Sequence, residues 1–141
     1  MNIEDNLSYF RVGDLVMVDG YPRNITWVGN AYPRVEIDGV DVACKIEDIK
    51  QIPVNHHFLM INGWKMGENF RGVYTPFTKG DFTVKAKIGG FSLDYFGKER
   101  FGHLRSISQL QHLILEYLDG NDDDGISIFK FKENETNLDL F

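Results

Sequence analysis

The chain reads as an α+β protein that is mainly β. The expected architecture is a small SH3-like barrel over about 1–53, then an antiparallel β-meander over about 54–141 covered by one amphipathic helix. Three observations lead there. The dipeptides Asp19-Gly20, Asp38-Gly39 and Gly89-Gly90 punctuate short stretches of apolar alternation, the pattern of tight hairpins. A single long stripe at helical spacing occupies 107–119. No apolar run exceeds four residues, as at 15–18 and 58–61, so no segment has the length of a membrane span.

In the first half, 15–18 is a short apolar strand closed by Asp19-Gly20, and 25–28 is the next. Segments 35–37 and 40–44 flank Asp38-Gly39, a two-residue loop that favours a type I′ turn with positive φ at both central residues. Val35, Ile37, Val40 and Val42 alternate with polar neighbours, which predicts one buried and one wet face. Strands this short and this numerous predict a strongly bent, closed barrel, since closure removes the exposed edges of a small sheet. Pro53 ends the unit.

In the second half, Asn55 is a good N-cap for a short strap helix to about Asn62, with Gly63 as its stop. Phe58, Leu59 and Ile61 would dock it, and Trp64 follows. The meander is clearest at 82–88, where Phe82, Val84, Ala86 and Ile88 alternate with Thr83, Lys85 and Lys87. A turn at Gly89-Gly90 would pair 88 with 91, 86 with 93 and 84 with 95; strands at 74–77 and 101–104 would flank this hairpin. Ser106 and Gln109 form an S-x-x-Q capping box, and Gly120 ends the helix. Ile107, Leu110, Ile114, Tyr117 and Leu118 make its apolar stripe, leaving Ser108, Gln109, His112 and Glu116 expected to face water. An acidic turn at 121–125 and a last strand at 126–131 complete the reading.

Several short motifs occur in a distinctive order. They are Phe10-Arg11-Val12-Gly13-Asp14-Leu15-Val16, Ile52-Pro53-Val54-Asn55, Asn62-Gly63-Trp64 and Leu110-Gln111-His112-Leu113. Together they resemble a family of small uncharacterised proteins carried by gut anaerobic bacteria, their phages and conjugative elements. That family shows a Leu-Arg-x-Gly-Asn-x-Val-like strand, an Ile-Pro-Leu-Thr-Glu-Glu-like helix start and a late His-Gln-Leu-Gln-Asn-Leu-like helix. The resemblance covers about 10–118. This chain departs from it at Asn55-His56-His57, at His112 in place of Asn, and in the extension over 121–141. The resemblance implies a mobile-element origin and a two-part architecture, and brings no chemistry with it.

Chemistry has few footholds. Cys44 is the only cysteine, which excludes an internal disulfide and a Cys-based zinc set, and it sits in an apolar alternation without a protease motif. His56 and His57 are adjacent, so on a helix they point about 100° apart and cannot chelate one ion. Residues 119–125 (Asp-Gly-Asn-Asp-Asp-Asp-Gly) resemble a calcium loop, but its sixth position is Asp124 and its twelfth Lys130. There is no nucleophile elbow, phosphate loop or dinucleotide fingerprint. The expectation is a non-catalytic binding or accessory protein acting in the cytoplasm, with no cofactor and no metal, and with a protein partner rather than a membrane. The acidic start at 1–5 is not read as a secretory signal.

Two partner surfaces remain. The net charge is −6, with eight acids and two bases over 116–141, whereas 65–105 holds eight bases and four acids. An acidic protein is a poor general polyanion binder. The middle third supplies the alternative, a basic aromatic nucleic-acid surface built from Lys85, Lys87, Phe96, Lys98 and Arg100. The end of the chain, Asn137-Leu138-Asp139-Leu140-Phe141, resembles the Gln-Leu-(Ser or Asp)-Leu-Phe peptide by which bacterial replication proteins dock on the β sliding clamp. That resemblance implies clamp contact through Leu138, Asp139, Leu140 and Phe141. Asn137 stands one methylene short of the Gln, and the alternative is a tail folded back on the sheet.

Overall fold

The computed structural model describes residues 10–29 and 32–131. The clamp-like residues Leu138, Asp139, Leu140 and Phe141 lie outside them. The described chain is mainly β, with two five-stranded antiparallel sheets and two helices.

The first sheet contains β1 (Leu15–Val18), β2 (Tyr21–Trp27), β3 (Arg34–Ile37), β4 (Val40–Ala43) and β5 (Ile49–Gln51), in the order β4-β3-β2-β1-β5. A single 3-10 turn at Ile46–Asp48 leads into β5. The Asp38-Gly39 turn has φ +51° and +81°, with Ile37 opposite Val40, as the loop chemistry requires. The sheet does not close, so the expected barrel becomes an open sheet with β4 and β5 at its edges. As a consequence, Val40 and Val42 share a face with the buried Val35 yet stay exposed, contrary to the burial that their alternation predicts.

α1 (His56–Ile61) is capped by Asn55, whose side chain accepts from Phe58 N at 2.9 Å. The second sheet runs β10-β9-β8-β7-β6, from β6 (Lys65–Met66), β7 (Tyr74–Lys79), β8 (Phe82–Lys87), β9 (Gly90–Tyr95) and β10 (Lys98–Leu104). Its central hairpin keeps the expected faces but shifts the register by two residues. Phe82 pairs with Tyr95, Val84 with Leu93 and Ala86 with Phe91, and the loop is Ile88-Gly89. The shift lets Phe82 stack on Tyr95 with ring centroids 4.5 Å apart. Ile88 is left at the tip, 96% exposed.

α2 (Ile107–Tyr117) starts at Ser106, which accepts from Gln109 N at 3.1 Å. Gln109 closes the cap by accepting from Arg105 N at 2.7 Å. Ile107, Leu110 and Ile114 pack with Phe82, Val84, Leu93 and Leu104 in one core, joined by Phe58, Leu59, Trp64 and Leu15 of the first sheet. The helix is buried on more than its apolar stripe. Ser108 is enclosed, and His112 is half-buried with Nε2 2.8 Å from Asp14 Oδ2, so neither faces water as expected. The reason is position: α2 lies between the meander and the start of β1. Gln111 accepts from Leu15 N at 2.9 Å and donates to Gly13 O at 3.0 Å.

Residues 126–131 form no strand. Part of their backbone is held by side chains instead of a neighbouring strand. Asn24 Nδ2 donates to Phe129 O at 2.7 Å, and the Asn62 amide both donates to Lys130 O and accepts from Lys130 N. Asp122, expected to be a solvated turn residue, accepts from the Ser127 hydroxyl and amide.

Candidate ligand-binding cleft

β1 presents a different core on each face. Val16 and Val18 join Phe10, Ile25, Val35 and Ile49 in a small core of the first sheet, while Leu15 turns to the large core and Asn24, opposite it, reaches Phe129. The face on which Leu15 and Asn24 lie continues across β2, β3 and β4, where no other element among the described residues covers it. There it forms a cleft of about 580 Å³ lined by Thr26, Trp27, Tyr32, Arg34, Asp41 and Ala43.

Local geometry builds this cleft. The β2–β3 register shifts between Ile25 and Trp27, so two residues of β2 oppose one of β3. A bulge of this kind re-aims side chains, and both Thr26 and Trp27 reach the cleft. Trp27 lies opposite Arg34, and Arg34 opposite Ala43, which puts an indole, a guanidinium and a small side chain in one cross-strand row. The Trp27 ring lies against the backbone at Gly29, where any Cβ would collide with Cζ2 and Cη2. Only glycine permits this ring position. Trp27 and Tyr32 remain 42% and 59% exposed, large apolar surfaces turned to solvent. Thr26 Oγ1 is buried without a hydrogen-bond partner among the described residues, and neither Arg34 nor Asp41 has an ion-pair partner there.

The cleft offers an aromatic platform, one cation, one anion and a hydroxyl. Cys44, close in sequence, donates its thiol to Pro33 O, and its pKa is raised by burial, with Asp48 and Asp19 adding to the effect. A high thiol pKa disfavours the thiolate that nucleophilic work needs. Among the described residues no three His, Cys, Asp or Glu side chains converge as metal ligands.

The basic residues of the meander are distributed differently from a free phosphate-binding row. Lys85 pairs with the buried Asp94 at 2.9 Å and lies 4.5 Å from the Tyr74 ring centroid. Its pKa is raised, chiefly by the hydrogen bond to Asp94. Lys87 pairs with Glu99 at 3.2 Å. Arg100 lies 5.9 Å from the Tyr117 ring, and Lys98 is exposed next to the Phe96-Gly97 turn. Phe96 is exposed there with φ +52°. A second hollow is lined by Asn55, His56, His57 and Phe91, where burial lowers the His57 pKa.

Sequence reasoning did not find the cleft. Its residues come from three strands and a connecting loop; the sequence places Thr26 and Trp27 in a strand with a turn after it, but nothing in the sequence brings them together with Arg34 and Asp41. Comparison with family models, curated proteins and solved structures returns no match to this chain. No helix among the described residues is long and apolar enough to cross a membrane.

Proposed function

We propose that the protein is a non-catalytic binding module that takes an extended segment of a partner protein in the Trp27–Tyr32 cleft. The observation that carries this reading is the pairing of two exposed aromatics with the unsatisfied Thr26 hydroxyl on one face of the first sheet. Aromatic-lined grooves on SH3-like modules receive extended, proline-rich segments by stacking. The first sheet, read as an open version of that barrel with β5 returning to β1, supplies such a platform.

The test is selection from a random-peptide display library against the full chain, with each recovered peptide then measured on wild type and Trp27→Ala. Recovered peptides should lose at least about tenfold in affinity on Trp27→Ala, or about 1.4 kcal/mol. Equal affinity for both proteins rejects the reading. The nucleic-acid alternative predicts retention on single-stranded DNA that falls steeply with salt and depends on Lys98 and Arg100. That outcome, with no peptide recovered, would replace the proposal.

A further inference from the structure

The described residues contain four sheet edges, and three of them are blunted. β5 carries Lys50 and runs into Pro53, which bridges to Ser106. β6 has two residues, one of them Lys65. β10 is interrupted by two register shifts and carries Lys98 and Arg100. These are the devices by which proteins prevent edge-to-edge pairing. β4 carries one charge, Asp41, and none of the other devices. It is regular along its whole length, holds no lysine, proline or bulge, and all four residues are exposed.

The direction of its free backbone groups follows from the hairpin. In a two-residue hairpin the flanking pair, Ile37 and Val40, exchanges hydrogen bonds, so alternate residues of β4 point inward. Cys44 N continues the series by donating to Pro33 O at 2.9 Å. The amides and carbonyls of Asp41 and Ala43 therefore point out of the sheet. On one face of the strand stand Val40 and Val42, 61% and 37% exposed; on the other stand Asp41 and, from β3, Arg34.

We infer that β4 pairs with β4 of a second copy of this chain, antiparallel about a two-fold axis at Val42, to make a continuous ten-stranded sheet. In this register Asp41 of each copy exchanges hydrogen bonds with Ala43 of the other. The Val42 side chains meet on the axis, and Val40 lies opposite Cys44. Centring on Asp41 would set two like charges directly opposite. Centring on Ala43 would require Lys45 in the strand, although its carbonyl already accepts from Asp48 N in the 3-10 turn. The Val42 register also gives the two unpaired charges partners. Arg34 lies opposite Ala43 within its own copy, so Asp41 of the second copy stands two strand spacings away, about 10 Å at the backbone. Extended side chains span that gap over the small alanine, twice per dimer. The self-complementary charge favours a second copy over a peptide of unrelated sequence. The inference does not depend on the cleft's ligand, and it leaves Trp27 and Tyr32 open on one face of the joined sheet.

Sedimentation equilibrium of the full chain tests it, with thermal melts confirming that each variant is folded. Wild type should be a dimer at roughly 100 μM protomer. Asp41→Arg and Val42→Lys should each be monomers, and the exchange Arg34→Asp/Asp41→Arg should restore the dimer. A monomeric wild type overturns the inference and leaves the edge open to a segment of another protein. A dimer undisturbed by Asp41→Arg and Val42→Lys overturns it by placing the contact elsewhere. An exchange variant that stays monomeric overturns the ion-pair register on which it rests.

Discussion

At Asp38-Gly39 the backbone enters the left-handed region twice in succession, which L-residues resist unless they are Asn, Asp or Gly. Nothing lies within 4 Å of a Cβ built at Gly39, so a side chain there meets no steric obstacle beyond its own backbone. Gly39→Val is therefore a clean measure of conformational strain. It should cost about 1–3 kcal/mol in a chemical melt, and unchanged stability would contradict the turn geometry. This turn was legible in the sequence because Asp-Gly names its own conformation. The Phe96-Gly97 turn was not, although its backbone is similar, because a phenylalanine at φ +52° violates the preference that makes such turns readable. Trp27 was missed for a related reason. Its exposure depends on a bulge and on Gly29 beneath the ring, and neither leaves a periodic signal.

Helix α2 illustrates what an amphipathic pattern conceals. Its apolar stripe and both components of its cap were readable from spacing alone. Its polar flank was not, because the periodicity argument assumes one buried face, whereas here the start of β1 covers another. Gln111 spans the junction, and Gly13 O has a second donor in Asn24 Nδ2 at 3.2 Å. Among the described residues, Leu15 N has only the Gln111 side chain to receive it. Gln111→Leu should thus leave one buried amide unsatisfied and destabilise the fold by about 1–3 kcal/mol. A loss below about 0.5 kcal/mol in urea would show that water replaces the bond. The meander's central hairpin teaches a complementary lesson. A slip of one residue reverses the faces and was excluded, but a slip of two preserves them. The Phe82–Tyr95 stack matches the observed register, and pair preferences of that kind are too weak to read in advance.

Across the whole molecule, the motifs that appeared separately in the sequence meet in space. Gly13-Asp14-Leu15 binds Gln111-His112, Ile52 O accepts from Ile107 N at 2.8 Å, and Asn62 holds Lys130 beside the buried Trp64. The first two tie the first sheet and the segment after it to α2, and the third ties the end of α1 to the segment after α2. The face left uncovered by this fastening is the one that carries Thr26, Trp27, Tyr32, Arg34 and Asp41. Chemical-shift mapping on the uniformly labelled full chain, titrated with a library-selected peptide, locates the bound segment. Perturbations should concentrate at Thr26, Trp27, Arg34, Asp41 and Ala43, with the Trp27 indole resonance moving most. Perturbations centred on β8 and β10, with the Trp27 indole unmoved, would contradict binding in the cleft.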